Sequence, residues 1–156
     1  MADVTAAERE TVHASAVLVG ARAVLIRGPS GSGKSRLALD LIQAAQGSAL
    51  LFARLIADDR VHLQSSGGGL LVRPAEALVG LIEVYGVGVL RLQYEPSAVV
   101  GLVVDLAAAD SERLPDPAGR TTEIAGIELP RLAVASDGAA LPAVLAVLKS
   151  RPEAWI

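Results

Sequence analysis

The stretch from Gly28 to Ser35 holds the residues of this sequence that are best suited to chemistry. It reads GPSGSGKS and fits the pattern G-x-x-x-x-G-K-[ST] at every fixed position. The apolar run AVLIR precedes it, and a helical pattern follows it. In such a strand–loop–helix, glycines let the backbone N–H groups face an anion, and the helix N-terminus adds partial positive charge. The sequence therefore predicts a loop that binds the phosphates of a nucleotide.

Two side chains of this loop have separate predicted tasks. Lys34 can reach the outer phosphates, and the hydroxyl of Ser35 can hold Mg²⁺. A nucleotide with Mg²⁺ is thus the expected ligand. The residues expected to line the nucleotide are Gly28, Pro29, Ser30, Gly31, Ser32, Gly33, Lys34 and Ser35.

Two adjacent acids, Asp58 and Asp59, follow the apolar run LLFARLIA. Successive side chains of an extended chain point to opposite faces. One carboxylate can therefore approach a metal while the other removes a proton from a hydroxyl. The alternative is a turn that exposes both acids to water.

A histidine is expected beside the loop because of a predicted hairpin. SAVLV and RAVLIR read as two strands joined by a turn at GAR, so residues whose numbers sum to about 42 should face each other. His13 would then lie opposite Pro29. The alternative is a surface histidine near the chain terminus.

Glu83 and Arg113 complete the candidate residues. Glu83 is flanked by apolar residues in GLIEVYGVGVL, so it either faces solvent on an edge strand or serves a metal or a cation. Arg113 lies in the long polar stretch 108–123, where the ordinary expectation is a solvated side chain.

Composition sets the frame for these residues. The chain has 156 residues, a net charge of −3, no cysteine and no basic block. These numbers favour a single cytoplasmic domain and argue against a disulfide scaffold and a nucleic-acid binder. The longest apolar stretch is interrupted by Glu83 and by glycines, so no membrane span is expected. We expect residues 1–11 to be a flexible lead-in and residues 12–156 to form the domain.

The pattern of elements predicts an α/β fold with a mixed, largely antiparallel sheet and few helices. One strand is expected to end at Ala57 and the next to begin at Val61. A helix is expected after the phosphate loop, and it should end at Gly47. Further strands are expected over 70–74, 79–93, 98–107 and, broken, over 126–135, followed by a last helix over 140–152. A strictly alternating β-α order is missing, which excludes a plain doubly wound nucleotide fold.

Over roughly residues 12–135 the chain resembles the catalytic domain of the HPr kinase/phosphorylase family, and four sequence motifs carry this resemblance. They are VHASAVLVGARAVLIRGPSGSGKS, LIADDRV, GLIEVYGVGVL and ERLP. The resemblance implies a phosphate-loop kinase fold of the phosphoenolpyruvate-carboxykinase type. It also implies transfer of a phosphoryl group from ATP to a serine of the phosphocarrier HPr.

The resemblance further implies a role for each matching residue. Ser35 and Glu83 would serve Mg²⁺, with Asp58 as a further ligand. Asp59, assisted by Asp58, would be the base for the acceptor serine. Lys34 would bind the outer phosphates, and His13 and Arg113 would act as active-site groups on the path of the phosphoryl group.

The chain departs from the family at several places. With 156 residues it is expected to have no room for the family's usual N-terminal domain. It carries Tyr85 where an arginine is usual, and it has AVASDGAA at 133–140 in place of a basic loop tied to phosphate removal. The implied activity is therefore the kinase, the departure at 133–140 leaves the reverse phosphorylase reaction open, and a homo-oligomer is possible. The alternatives are a nucleotide-binding regulatory module without phosphotransfer, and a small-molecule kinase or NTP hydrolase.

Overall fold

The computed structural model describes residues 9–50 and 52–150, which form one large sheet, a separate hairpin and two helices. The strands are β1 Arg9–Val12, β2 Ser15–Val19, β3 Arg22–Arg27, β4 Ala53–Ala57, β5 Val61–Ser66, β6 Gly69–Pro74, β7 Leu81–Val84, β8 Gly88–Arg91, β9 Ala98–Asp105, β10 Thr121–Ile124 and β11 Ile127–Ala133. The helices are α1 Lys34–Gln46 and α2 Ala140–Ser150, and short 3-10 turns lie at Glu76–Leu78 and Pro117–Arg120.

The large sheet is mixed, as the sequence predicts. Its strands follow the order β1-β5-β6-β9-β3-β2-β4. Strand β9 pairs in parallel with β3 and β11, whereas the remaining pairings of the described strands are antiparallel. The carboxyl ends of β3, β9 and β11 therefore meet at one edge of the sheet, where the chain leaves β3 for the phosphate loop.

The hydrophobic core covers both faces of the sheet because side chains of a strand alternate between them. Along β3, Ala23 and Leu25 pack on one face with residues of β5, β6 and β10. Val24 and Ile26 pack on the other face, against Leu37, Leu41 and Val144 of the helices. The burial of α1 through Leu37, Ala38 and Leu41 fixes the helix that follows the loop.

The β2–β3 hairpin confirms the predicted turn, with one difference in register. Ser15 pairs with Ile26, and Val19 pairs with Arg22, so paired numbers sum to 41 instead of about 42. Extending this register places His13 level with Gly28. Helix α1 has Gly47 at its C-cap, as expected, but the left-handed residue beyond it is Ser48, with φ 66°.

The element prediction was wrong in four places. Residues 9–11, expected in the lead-in, belong to β1, which pairs with β5; residues 1–8 lie outside the described part. The stretch 79–93 forms the hairpin β7–β8 and not one strand. Residues 121–123 of the expected polar loop begin β10. Finally, β11 is continuous, and its Pro130 lies where pairing passes from β10 to β9.

Neither helix in the described residues has the length and apolar character needed to cross a bilayer. The helices contain 13 and 11 residues, whereas a transmembrane helix needs about 20. The last helix is described from Ala140 to Ser150, and residues 151–152 of the expected helix lie outside the described part.

Candidate functional site

The phosphate loop lies between β3 and α1 at the edge where the parallel strands end. Gly31 and Gly33 have φ of 78° and 100°, values that side chains disfavour. Gly28 packs closely: an added Cβ would lie 2.6 Å from Ser32 Oγ and 3.1 Å from the carbonyl oxygen of Leu106. Helix α1 starts with the N–H of Leu37 donating to Gly33 O at 2.9 Å. The loop therefore needs glycine for two reasons, backbone conformation and space.

Lys34 folds its side chain back over this loop. Its Nζ donates to the carbonyl oxygens of Gly28 at 2.8 Å and Pro29 at 3.1 Å. The ammonium group thus spans the mouth of the loop. A phosphate in the loop would compete with these two carbonyls for the lysine and would have the stronger, charge-assisted hydrogen bond.

Asp58 is the polar centre of the site, and its side chain is buried among hydrogen-bond donors. The residue is 4% exposed. Its Oδ1 accepts from Ser15 Oγ at 2.6 Å and from Ser35 Oγ at 2.7 Å, and its Oδ2 accepts from the backbone N–H of Glu83 at 3.1 Å. Asp58 therefore connects the hydroxyl of the phosphate loop with β2 and β7.

Asp59 points the opposite way, as expected for adjacent residues. Its φ is 72°, and the N–H of Arg60 donates to Asp58 O at 2.9 Å around it, which makes a γ-turn. The N–H of Ala14 donates to Asp59 O at 3.2 Å, which carries His13 alongside. His13 Nδ1 lies 3.9 Å from Asp59 Oδ1, with the two side chains 72% and 67% exposed. The structure thus places an accessible acid and an accessible imidazole together.

The remaining two candidates are less well connected. The Glu83 side chain is exposed, and its contact with Asp58 is made by the backbone N–H. Arg113 is exposed in the loop after β9 and makes no hydrogen bond or ion pair with another described residue. The structure therefore brings Glu83 next to the buried acid, whereas it does not connect Arg113 to the phosphate loop.

The sequence analysis missed one buried hydroxyl and a network of charges. Ser15 is fully buried at the start of β2; the signal that could have found it is a serine at the head of an apolar run directly after His13. Asp105, at the end of β9, accepts from Arg27 Nε at 2.7 Å, from Arg27 Nη2 at 2.8 Å and from Arg131 Nε at 2.6 Å. Here the signal is an acid that closes the apolar run VVGLVVD.

The arginines of this network lower the pKa of both Asp105 and Asp110. Burial alone would raise the pKa of Asp105, but the hydrogen bonds from Arg27 and Arg131 outweigh it and hold that pKa below its usual value. The hydrogen bond from Arg131 also lowers the pKa of Asp110. In turn, the bond to Asp110 raises the pKa of Arg131. The network is therefore fully charged at neutral pH.

The site can hold Mg²⁺ only together with a ligand's oxygens. Within residues 9–50 and 52–150, no three His, Cys, Asp or Glu side chains are grouped closely enough to bind a metal by themselves. Ser35 Oγ and Asp58 Oδ1 are adjacent, which suits an ion that keeps several waters and takes phosphate oxygens. The donor set therefore fits Mg²⁺ bound with a nucleotide.

Comparisons with known proteins agree with this geometry. Residues 4–147 match the family model described as the HPr Serine kinase C-terminal domain. HPr kinase/phosphorylase of Streptococcus thermophilus is 35% identical over 139 residues, which cover 82% of this chain and 43% of the relative. The Streptococcus pneumoniae protein of the same name is also 35% identical, with 42% of its length covered. The chain thus spans less than half the length of these relatives.

A solved structure shows the same fold. It is titled as the HPr(Ser) kinase/phosphatase from Coxiella burnetii, and it superposes with a TM-score of 0.73 at 23% identity, over 91% of this chain and 95% of that one. The family model covers the phosphate loop, the paired acids and the strands that carry them. The chain therefore belongs to the family of HPr serine kinase C-terminal domains.

Proposed function

We propose that this protein is an ATP- and Mg²⁺-dependent serine protein kinase that phosphorylates HPr. The single observation that carries the proposal is the contact between Ser35 of the phosphate loop and buried Asp58, 2.7 Å apart. Asp59, whose side chain is accessible, follows Asp58 on the same turn. The names of the relatives, which are HPr kinase/phosphorylases, support the choice of acceptor.

Each residue of the site would have a separate role in the transfer. Backbone N–H groups of the loop and the Lys34 ammonium hold the nucleotide and spread the charge that develops on the transferred group. Asp59 takes the proton of the acceptor serine while the serine oxygen bonds to the γ-phosphorus. The bond between that phosphorus and the bridging β–γ oxygen breaks, so ADP leaves. His13 and Arg113 are proposed to act on the phosphoryl path as additional positive or polar groups.

Bound Mg²⁺ would neutralise charge on the β- and γ-phosphates. Ser35 and Asp58 would hold it, and Glu83 is proposed as a further ligand. Asp58 is already oriented by Ser15, whose hydroxyl donates at 2.6 Å. This arrangement keeps the metal-side acid fixed and leaves the adjacent acid free for the proton.

The test is a transfer assay with the whole chain. We expect labelled phosphate from Mg-ATP to appear as phosphoserine on HPr of the same organism, and not on an HPr whose acceptor serine is alanine. Asp59→Asn should lower transfer by about 10²–10⁴ and leave the affinity for a non-hydrolysable ATP analogue unchanged. Asparagine is the variant of choice because it tolerates the left-handed backbone at this position.

Other outcomes would overturn parts of the proposal. Nucleotide binding without any labelled product would indicate a regulatory module, and release of phosphate without HPr would indicate a hydrolase. Equal loss of binding and transfer in Asp59→Asn would contradict the role of that residue as the base. Lys34→Ala should weaken transfer severely, because the outer phosphates lose their ammonium partner.

A further inference from the structure

Arg131 joins three parts of the chain through one guanidinium group. Its side chain is 14% exposed. Its Nε donates to Asp105 Oδ2 at 2.6 Å, at the end of β9. Its Nη1 and Nη2 donate to the two carboxylate oxygens of Asp110 at 2.6 and 2.9 Å, and Nη1 also donates to Gly119 O at 3.0 Å. One side chain therefore holds both ends of the loop 110–119.

Gly119 is shaped for this contact. A Cβ on that residue would lie 3.3 Å from Asp110 Oδ2, closer than most side-chain contacts allow. Glycine lets the acid, the guanidinium and the carbonyl of residue 119 approach one another. The two ends of the loop therefore meet at a contact that depends on Arg131.

Between its ends, the loop has few internal contacts. Ser111 is held by weak hydrogen bonds of 3.3 and 3.4 Å, and Asp116 accepts from the N–H of Ala118 at 2.9 Å. Residues 112–115 form no hydrogen bond or ion pair with other residues of the described part, and Leu114 is 80% exposed. The described contacts therefore hold Arg113 through the two ends of the loop and not through bonds of its own.

The same strand end also holds the phosphate loop. Asp105 forms a two-bond contact with Arg27, the residue before Gly28. The N–H of Leu106 donates to Arg27 O at 2.8 Å. Arg27 and Arg131 thus share one carboxylate, so the start of the phosphate loop and the base of the loop 110–119 are fixed to a common point.

We infer that Arg131 and Asp110 form a clamp that positions Arg113 for contact with the phosphates of the bound nucleotide. The clamp residues touch no nucleotide themselves; they act through Arg113. Arginine suits the task because its planar fork binds a carboxylate with two N–H groups and still has donors for Asp105 and Gly119. The inference rests on the proposed function, in which Arg113 acts on the phosphoryl path.

Trypsin gives a test that needs no phosphotransfer, because it cleaves after Arg113. In the wild-type chain, Mg²⁺ with a non-hydrolysable ATP analogue should slow cleavage of the Arg113–Leu114 bond by about fivefold or more. In Asp110→Ala the protection should fall to less than about twofold at a saturating concentration of the analogue. Asp110 is 55% exposed, so this variant is expected to fold.

Glu123→Ala is the matched control. Glu123 is an exposed acid on β10, and its side chain forms no hydrogen bond or ion pair with another described residue. It should retain wild-type protection. Equal protection in Asp110→Ala, or no protection in a wild-type chain saturated with the analogue, would overturn the inference. Peptide mass spectrometry identifies the cleaved bond.

A double-mutant cycle on HPr phosphorylation then separates positioning from simple loss of structure. Arg113→Ala should lower kcat by about 100-fold, and Asp110→Ala by about tenfold with KM for ATP unchanged. The double variant should be no slower than Arg113→Ala, because a positioning residue has no effect once its target is gone. Additive losses would overturn the inference. If the wild-type chain does not phosphorylate HPr, the proposed function fails, and the trypsin result still decides the clamp.

Discussion

Adjacent residues with the same side chain have opposite environments in this site. Asp58 is buried and accepts hydrogen bonds from two hydroxyls and one backbone N–H, whereas Asp59 is two-thirds exposed on a γ-turn. Left-handed φ values outside glycine store strain, and they concentrate at functional sites. The turn therefore directs one carboxylate toward the phosphate loop and the other toward solvent.

This contrast predicts unequal effects on stability. Asp58→Ala should lower the free energy of unfolding by about 2 kcal/mol, because one buried and two partly buried donors lose their acceptor. Asp59→Asn should change it by less than about 0.5 kcal/mol, because an exposed side chain is replaced by one that suits the backbone. Urea denaturation of both variants checks the expectation. A similar loss in both would contradict the division between a buried and an accessible acid.

Ser32 provides an independent prediction within the phosphate loop. Its Oγ is buried without a hydrogen-bond partner in the described part of the chain. Burying a hydroxyl without a partner costs free energy, so Ser32→Ala should raise the free energy of unfolding by about 1 kcal/mol. Ser30→Ala, an exposed hydroxyl of the same loop, is the control and should have no measurable effect. Thermal unfolding compares the two, and destabilisation by Ser32→Ala would be the opposite result.

Sequence reasoning could single out candidate residues for the site but not the partners of the buried ones. The loop motif, the acid pair and His13 follow from local patterns, because each lies within a few residues of a strand end. Ser15 and Arg131 could not be assigned, since their partners are 43 and 21–26 residues away and are brought near by sheet pairing. The roles of Glu83 and Arg113 remain predictions that rest on the family resemblance.

Among the elements, those with strong local signals were predicted correctly. The hairpin β2–β3 has apolar strands around a glycine turn, and α1 has a buried stripe with a glycine at its end. Strand β1 has no such signal, because RETV is polar and becomes a strand only through pairing with β5. Likewise, TTEI is a strand because β11 lies beside it. Tertiary pairing decided these cases over local propensity.

The phosphate loop itself can be tested as an element. Gly28→Ala would place a methyl group 2.6 Å from Ser32 Oγ and 3.1 Å from a backbone oxygen of Leu106. The loop must then move away from the end of β9, and nucleotide affinity should fall by about tenfold or more.

The control for this change is Gly67→Ala, in the β5–β6 turn, where nothing lies within 4 Å of an added Cβ. Its left-handed backbone makes some loss of stability expected, roughly 1 kcal/mol, but nucleotide affinity should stay unchanged. Titration calorimetry with Mg²⁺ and an ATP analogue measures both variants. Unchanged affinity in Gly28→Ala would show that the close packing at this glycine does not shape the loop.

At the scale of the whole molecule, one sheet separates two hydrophobic cores and presents a polar edge. Aliphatic side chains fill both faces, and charged groups gather where β3, β9 and β11 end. A partly buried ion-pair network of this kind fixes the relative positions of strands and loops, and removing one member leaves its partners unpaired. Stability of the whole chain should therefore depend on the charge of Asp105.

The pH dependence of unfolding tests that dependence. The pKa of Asp105 in the folded chain lies below its usual value, whereas an unfolded aspartate titrates near about 3.9. Its contribution is therefore fully present above about pH 5 and is lost as pH falls through the folded pKa. Asp105→Asn should lower the free energy of unfolding by roughly 2 kcal/mol at pH 7, because an amide N–H faces guanidinium donors that cannot accept it.

The difference in free energy of unfolding between wild type and Asp105→Asn, called the gap below, should accordingly stay constant from pH 7 to about pH 5. It should narrow at lower pH. Glu123→Gln, which replaces an exposed acid without a described contact, should show no gap at any pH. Urea denaturation at a series of pH values measures all three chains. A gap that widens on acidification would mean that the carboxylate opposes folding, and the arginines of β3 and β11 would then require another counter-charge.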